Sequence, residues 1–355
     1  MPRLVLASAA VAAPMGAQGY EAALAARAEA ALLATGPGWE VRRLVFRSMR
    51  SGLPGTGRLP MGWLTGTGAP SRAVAGRVVY PRGAIVHRTA LELPPGPIDV
   101  VTLHDVVAWR FGDESPPVRA AAQELRRAAA VICVSDFTAA EARDLLGLTD
   151  VQVVPNGVDQ AFFDASPLPP EVRAGLGLTG PFVLHAGGAG RRKNLEALAA
   201  AWPDIRRAHP DVSLALSGPP HARRDALFAG MPGVRILGRL PDALMPGLVA
   251  AASAVVVPST YEGFGLPALE AMAAGVPLVA AAAAALPEVV GGGGLLVAPT
   301  AEGVGDGLLQ VLGGGIDVLA LVALGRARAR EFTWERSAAA HAAIWASLGS
   351  PSRGS

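Results

Sequence analysis

Residues 258–270, PSTYEGFGLPALE, directly follow an apolar run (254–257) that has the length and composition of a buried strand. Gly263 and Gly265 permit the tight backbone of a turn, and Pro267 suits the first turn of a helix. The stretch therefore predicts a strand, a glycine turn and a helix in that order. Its two carboxylates then lie in different elements: Glu262 in the glycine turn, and Glu270 in the helix, about one helical turn from its start.

Carboxylates at these two places can accept hydrogen bonds from the vicinal hydroxyl groups of a sugar or a ribose. The N-terminus of the helix also presents amide groups that suit an anionic or hydroxyl-rich ligand. A small-molecule site is therefore predicted here. In the alternative interpretation, Glu270 only favours the helix dipole and Glu262 is solvated.

Length and composition indicate a globular chain of two domains, because 355 residues exceed one ordinary domain and 51% of them are apolar. Residues 4–15 have the hydropathy of a signal peptide. Only Arg3 precedes them, however, and a strand, a loop and a helix over 20–33 fit better. The apolar run 276–290 is broken by prolines, so no transmembrane helix is expected.

Cys133 is the only cysteine, which excludes an internal disulfide and is compatible with the cytoplasm. Positive charge is uneven, since the stretch 41–88 contains nine arginines and no acidic residue. This stretch could bring the first domain to an anionic membrane surface, at the inner membrane face, or to a phosphorylated acceptor. Alternatively, the arginines are solvated loop residues. No aromatic residues alternate with them to stack bases, so nucleic acid binding is not expected.

Apolar runs that end in small or turn-forming residues recur along the whole chain and predict parallel strands alternating with helices. The glycine- and proline-rich segment 51–70 is predicted to be a mobile loop. An Asn-Gly turn within 155–159 suggests a boundary between residues 1–159 and a second domain, 160–333. The segment 334–355 is predicted to form a helix that crosses back to the first domain. The predicted strands are 4–9, 41–46, 84–87, 99–105, 130–135, 151–155, 182–188, 213–218, 234–238, 254–259, 277–281 and 295–299.

The segment 187–194, GGAGRRKN, follows one of these strands and opens a helix near Asn194. Its glycine amides, together with Arg191, Arg192 and Lys193, form a suitable cradle for a diphosphate. Lys193 is the only lysine, which makes it a candidate for a place that requires a compact ammonium group. The segment lacks the Gly-Lys-Ser/Thr of a Walker loop and the third glycine of a dinucleotide fingerprint. A solvated basic turn is the alternative.

His104 and Asp105 follow the apolar run 100–103, at the carboxyl end of a predicted strand in the first domain. His104 could contact a sugar hydroxyl or the charge that develops at the reacting carbon; a structural histidine that caps the loop is the alternative. No D-x-D pair, His-x3-His pair or cysteine cluster is present. We therefore expect no metal ion and no cofactor, with lysine and arginine neutralising a leaving diphosphate.

The chain contains the motifs GAQGY (16–20), HDVVAWRFGDESP (104–116), VSDFTAAE (134–141), VVPNGVD (153–159) and RRKNL (191–195). It also contains PSTYEGFGLPALEAMAAGVP (258–277), the most specific of the motifs, followed by LPEVVG (286–291). Through these motifs and their order and spacing, the chain resembles the retaining glycosyltransferase family 4 of the GT-B fold.

This resemblance implies an α/β protein of two Rossmann-like domains whose parallel sheets face a central cleft. The nucleotide-sugar donor would bind mainly to the second domain and the acceptor to the first. The implied catalytic residues are His104, by the reacting face of the sugar, and Glu262, on the sugar. The implied donor-binding residues are Gly16 and Gly19 near the phosphate, Arg192 and Lys193 on the diphosphate, Glu270 on the ribose, and Gly263, Phe264, Gly265 and Leu266 at the sugar.

The segment 238–242, GRLPD, lies where the family places the nucleotide base, and we expect Leu240 and Asp242 to contact it. Asp242 could accept from guanine, which favours GDP-mannose as the donor; an ordinary helix cap is the alternative. The sequence thus predicts a metal-independent retaining hexosyltransferase that acts on a glycan, lipid or small-molecule acceptor. The alternatives are a non-catalytic nucleotide-sugar-binding protein and, less in keeping with the glycine pattern, a Rossmann oxidoreductase.

Overall fold

The structure, a computed structural model, describes residues 1–12, 16–112 and 116–349. The chain divides into two compact units. One comprises Met1–Gly157 and the chain from Trp334 onward; the other comprises Val158–Thr333. Residues 113–115 of the motif 104–116 and residues 350–355 of the predicted last segment lie outside the described residues, as do 13–15 in the first apolar run.

The first unit contains a seven-stranded sheet within the described residues, in the order β3-β2-β1-β4-β5-β6-β7. Every pairing in it is parallel. The strands are β1 (Arg3–Ala9), β2 (Glu40–Ser48), β3 (Gly57–Leu59), β4 (Ile85–Arg88), β5 (Ile98–Leu103), β6 (Ala130–Cys133) and β7 (Gln152–Val153).

The second unit contains a six-stranded sheet, again parallel throughout, in the order β10-β9-β8-β11-β12-β13. The strands are β8 (Phe182–Ala186), β9 (Ser213–Ser217), β10 (Val234–Gly238), β11 (Ala254–Val257), β12 (Leu278–Ala281) and β13 (Leu295–Val297).

Helices connect these strands, as parallel pairing requires, because a parallel neighbour can be reached only by a crossover. The described helices are α1 (Gly16–Leu33), α2 (Met61–Gly66), α3 (Ala69–Val79), α4 (Val107–Arg110), α5 (Ala121–Leu125), α6 (Asp136–Leu146), α7 (Gln160–Phe163), α8 (Pro170–Gly175), α9 (Leu195–Ala208), α10 (Ala222–Leu227), α11 (Met245–Ala250), α12 (Leu266–Ala274), α13 (Leu286–Val290), α14 (Ala301–Gly313), α15 (Val318–Ala329) and α16 (Trp334–Gly349). Short 3₁₀ turns cover Arg191–Lys193 and Asp242–Leu244.

Strand β1 shows why helices cover both faces of its sheet. Its side chains alternate between two cores, since Leu4 and Leu6 pack with α1 and α16, while Val5 and Ala7 pack with residues of β3 and α2. A strand that is buried on both faces is apolar at every position, which is the pattern that predicted it.

Each strand predicted from an apolar run is present, and so are the helix after the glycine turn and the final helix. The prediction of a mobile loop over 51–70 is wrong, because this segment contains β3, α2 and the start of α3. Backbone pairing with β2 and burial of Leu59 and Leu64 order it. Gly55 permits the close approach, since a Cβ there would lie 2.8 Å from the carbonyl oxygen of Val45.

Two further expectations about the first unit are corrected. Gly16 and Gly19 do not lie in a loop, since α1 begins at Gly16. The nine arginines of 41–88 are not all solvated, because Arg72 and Arg88 are fully buried. Arg72 Nε lies 2.6 Å from the carboxylate of Glu124, and Arg88 pairs with Asp99 at 2.9 Å. Buried guanidinium groups of this kind require such partners, which removes two charges from the basic surface.

No single helix among the described residues has both the length and the hydropathy of a membrane span. Helices α14 and α15 meet that criterion only as a pair, and the pair is bent by 109°.

Candidate functional site

In the second unit, two sequence motifs meet at the carboxyl edge of the sheet. The loop 187–194 follows β8, and 258–265 follows β11, its neighbour in the sheet. The Thr260 amide donates to the Arg192 carbonyl at 2.9 Å. Asn194, in the left-handed conformation (φ 53°) before α9, donates its side-chain amide to the Pro258 carbonyl at 2.9 Å. Parallel strand order thus joins segments that lie about 70 residues apart.

Lys193 and Glu262 form a buried ion pair at this junction. The ammonium nitrogen lies 2.6 Å and 2.8 Å from the two carboxylate oxygens. Ser259 donates to Oε1 at 2.8 Å, and Arg192 Nη1 lies 3.6 Å from Oε2. The side chains of Lys193 and Glu262 are only 13% and 9% exposed, so the interpretation of Glu262 as a solvated acid is wrong.

Burial by itself would raise the pKa of Glu262, but Lys193, Arg192 and the hydrogen bonds from Lys193 and Ser259 outweigh it and hold the pKa below its ordinary value. Glu262 is therefore ionised at neutral pH. Two cations surround this single carboxylate, so the junction keeps a net positive charge.

Arg224, a fully buried residue of α10, stabilises the glycine loop 187–190 by hydrogen bonds. Its guanidinium group donates to the Gly187 carbonyl at 2.7 Å and to the Gly218 carbonyl at 3.2 Å. Gly218 has φ +149°, and a Cβ there would lie 2.0 Å from the Gly187 oxygen. Neither residue stood out in the sequence, where Gly218 was only the end of a strand and Arg224 one of many arginines.

The start of α12 has the predicted geometry. Gly265 is its N-cap, in a left-handed conformation (φ +104°), and Pro267 lies in the first turn. Gly263 and Phe264 are buried in front of it. The amide of Leu266, at the first helical position, has no intrahelical acceptor, which makes it available to a ligand oxygen.

Glu270 lies on α12, half-buried, and its electrostatic surroundings are the opposite of those of Glu262. Burial, with a smaller contribution from the negative charge of Asp242, raises its pKa to about 7. Asp242 is exposed, at the start of a 3₁₀ turn whose N-cap is Pro241, so it is not a helix cap. Its carboxylate lies 3.5 Å from Arg239. The charge of Asp242 thus acts on Glu270 of α12, and Leu240, in the same segment as Asp242, is partly buried.

In the first unit, His104 follows the last residue of β5, as predicted. Its ring meets the ring of Tyr20 edge to face, with centroids 4.8 Å apart. Burial lowers the pKa of His104 to about 4, so the imidazole is neutral at neutral pH. Its Nε2 is buried and, among the described residues, has no hydrogen-bond partner. Asp105, not His104, makes the local turn bond, accepting from the Val107 amide at 3.1 Å.

Gly16 and Gly19 are exposed in the first turn of α1, whose 18 residues align their peptide dipoles. The described residues include no group of three or more His, Cys, Asp or Glu side chains placed to hold a metal ion.

Comparison with known proteins agrees with this architecture. Residues 180–313 match the family described as "Glycosyl transferases group 1", and residues 77–162 match "Glycosyltransferase Family 4". The O-antigen chain mannosyltransferase B of Escherichia coli is 33% identical over 258 residues, which are 66% of this chain and 67% of that protein.

A "GDP-mannose-dependent alpha-(1-6)-phosphatidylinositol dimannoside mannosyltransferase" of Mycobacterium tuberculosis is 30% identical over 247 residues, covering 60% of this chain and 64% of that protein. Among solved structures, the sucrose-phosphate synthase of Thermosynechococcus elongatus superposes with a TM-score of 0.75 at 25% identity, covering 97% of this chain and 98% of that one.

The two parallel α/β units and these likenesses define a glycosyltransferase of the GT-B fold. Within that class, the chain belongs to the family 4 glycosyltransferases, and its relatives include mannosyltransferases.

Proposed function

We propose that the chain is a retaining hexosyltransferase that transfers mannose from GDP-mannose, without a metal ion, to a glycan, lipid or small-molecule acceptor. The observation that carries the donor site is the cluster of Arg192, Lys193 and Glu262 beside the glycine loop 187–190. Its net positive charge suits a leaving diphosphate, and this charge supports a reaction that needs no divalent cation.

Arg192 and Lys193 are assigned to the diphosphate, with the exposed first turn of α1, at Gly16 and Gly19, near a phosphate. Glu262 is assigned to the transferred sugar. Of its four lone-pair directions, two accept from Lys193 and one from Ser259, among the described residues. The direction left on Oε2 is an acceptor for a sugar hydroxyl, while Glu262 also keeps the Lys193 ammonium in place.

The backbone at Gly263, Phe264, Gly265 and Leu266 is assigned to the sugar, because the start of α12 offers amide donors there. Glu270 is assigned to the ribose hydroxyls.

Leu240 and Asp242 are assigned to the base. The exposed carboxylate of Asp242, whose charge acts on Glu270, can accept from the N1 and N2 donors of guanine, and uracil lacks this pair of donors. The name of the M. tuberculosis relative, a GDP-mannose-dependent enzyme, supports the same donor.

In the proposed reaction, the bond between the anomeric carbon and the diphosphate oxygen breaks as the acceptor oxygen bonds to the same face of that carbon. The acceptor proton passes to the departing phosphate oxygen, whose negative charge Arg192 and Lys193 stabilise. His104 is assigned to the sugar, where its neutral ring can hydrogen-bond a hydroxyl group.

Peripheral contact of the stretch 41–88 with an anionic membrane remains a prediction, checked by cosedimentation with anionic vesicles. Its support is that Trp63 on α2 and Val74 and Val78 on α3 are 54%, 60% and 81% exposed in the same segment as exposed arginines.

The donor is tested by thermal unfolding with GDP, UDP and NAD⁺, followed by calorimetry and by hydrolysis of GDP-mannose and UDP-glucose, with and without EDTA. GDP at about 100 times its Kd should stabilise the protein by about 2.7 kcal/mol, and UDP by less. Asp242→Asn should reduce the preference for GDP over UDP, while Lys193→Ala should weaken both nucleotides. The first-formed mannose should be the α anomer, by NMR.

Each alternative has its own signature in this experiment. Stronger stabilisation by UDP contradicts the GDP assignment, and activity that EDTA abolishes contradicts the metal-free mechanism. Donor binding without hydrolysis or transfer identifies a non-catalytic binding protein. Stabilisation by NAD⁺ alone identifies an oxidoreductase.

A further inference from the structure

Four buried polar side chains in the first unit form a series of hydrogen bonds, and one of them, Tyr20, contacts His104. Tyr20 of α1, Thr102 of β5, His87 of β4 and His341 of α16 are each at most 2% exposed. The Tyr20 hydroxyl lies 2.8 Å from Thr102 Oγ1 and 2.7 Å from His341 Nε2. His87 Nε2 lies 2.7 Å from the same Thr102 oxygen. Four elements from distant parts of the sequence are thus joined by hydrogen bonds.

In this series of hydrogen bonds, the donor and the acceptor of each bond can be assigned. His341 Nδ1 lies 2.8 Å from the Ser337 carbonyl oxygen, which can only accept, so Nδ1 carries the proton. Burial lowers the pKa of His341 to about 4, and its neutral Nε2 must therefore accept from the Tyr20 hydroxyl. The Tyr20 oxygen in turn accepts from Thr102, and Thr102 accepts from His87.

Tyr20 is also the aromatic partner of His104. Their rings meet at an interplanar angle of 86°. Two hydrogen bonds fix the position of the Tyr20 hydroxyl, and Trp334 of α16 packs against the ring, with centroids 5.9 Å apart, and restricts its rotation. The orientation of the His104 ring therefore depends on a side chain whose own orientation is set from the last helix.

We propose that Tyr20 is a positioning residue for His104, and that His341 on α16 holds Tyr20 in the orientation this requires. The proposal rests on the assignment of His104 to the transferred sugar. The proposal adds the C-terminal helix α16 to the residues that affect catalysis, although none of the residues assigned to the donor lies on this helix.

The test compares Tyr20→Phe, His341→Leu and His341→Gln in the full-length protein, by donor hydrolysis and by NMR of ¹⁵N-labelled histidine, of which the chain has six. Tyr20→Phe and His341→Leu should lower kcat about tenfold by misplacing His104, while KM for the donor changes less than about twofold. His341→Gln should restore most of kcat, because its amide can both donate to Ser337 and accept from Tyr20.

The His104 signals should shift or broaden in Tyr20→Phe and His341→Leu and return in His341→Gln. The control is Ile344→Ala, also buried on α16 but outside the chain of hydrogen bonds, which should lower thermal stability and leave kcat and the His104 signals unchanged. Rates are measured well below each variant's Tm.

Unchanged kcat and unchanged His104 signals in Tyr20→Phe and His341→Leu would overturn the proposal. An equal loss of kcat in Ile344→Ala would overturn it too, by showing a general loosening of the helix. If His104→Ala itself retains full kcat, the assignment of His104 to the sugar fails. The His104 signals in the other variants then decide the positioning role on their own.

Discussion

At the scale of single residues, Glu262 and Glu270 show how partners decide the behaviour of two similar carboxylates. Both belong to one motif and both lose water on folding. Glu262 gains Lys193, and its pKa falls below the ordinary value. For Glu270, burial is the main influence and the negative charge of Asp242 adds to it, so its pKa rises to about 7. A carboxylate left in such surroundings is typical of a ligand site, where binding geometry outweighs the stability of the empty protein.

We expect Glu270→Gln to stabilise the ligand-free protein, and to do so more at high pH. Folded Glu270 holds its proton up to about pH 7, whereas the unfolded chain loses it near pH 4.5. The stability due to this proton is present at low pH and is lost as the pH rises through 7. The variant should therefore gain about 2 kcal/mol more at pH 8 than at pH 5, by urea unfolding of the second unit.

Glu262→Gln is the matched control for that measurement and should have the opposite sign, because it leaves the buried Lys193 ammonium without its carboxylate at pH 8. An effect of Glu270→Gln that is equal at pH 5 and pH 8 would contradict the raised pKa.

At the scale of elements, the predicted strands were found because a strand buried on both faces leaves a continuous apolar run in the sequence. Strand β3 and helix α2 were missed because both are short and contain glycine, and because β3 is held in place by pairing with β2 rather than by a local sequence pattern. The loop 187–190 was found from its glycines and basic residues, but its support by Arg224 and Gly218 was not, since that contact joins separate crossovers.

Gly218→Ala should disorganise the loop 187–190, because its Cβ would overlap the Gly187 carbonyl oxygen and its φ of +149° disfavours a side chain. We expect a loss of about 3 kcal/mol in unfolding free energy and a weaker affinity for nucleotide. Calorimetric unfolding and nucleotide titration measure the two effects.

The control for the stability effect is Gly188→Ala in the same loop, where a Cβ would meet no atom within 4 Å. It should leave the unfolding free energy within about 0.5 kcal/mol of the original protein. If both variants unfold alike, the close approach at Gly218 does not matter.

At the scale of the whole molecule, buried histidines are distributed unequally between the two units. His87 and His341 are buried in the first unit, where His104 is partly buried, and His185 is buried in the second. Burial lowers the pKa of His104, His185 and His341 to about 4, and that of His87 well below its ordinary value. Each is protonated more easily in the unfolded chain, so stability falls as the pH drops below 6.5.

The first unit should therefore open before the second when the pH is lowered from 7 to 5. His104, His185 and His341, whose pKa is lowered to about 4, should each cost about 2 kcal/mol at pH 5, and His87 acts in the same direction. In the second unit, protonation of Glu270 opposes the effect of His185. Hydrogen exchange measured on peptides from each unit follows the two separately, and His341→Gln should flatten the pH dependence of the first. Earlier opening of the second unit would contradict this prediction.

The sequence by itself determined the alternation of strands and helices, the family, and the motifs of the donor site, because buried parallel strands and glycine turns leave local patterns. Only the tertiary structure decided that Lys193 pairs with Glu262, that Arg72 and Arg88 are buried, and that His341 of the last helix hydrogen-bonds to Tyr20. These depend on contacts between residues far apart in the chain, and the sheet order that brings them together is not written in any local pattern.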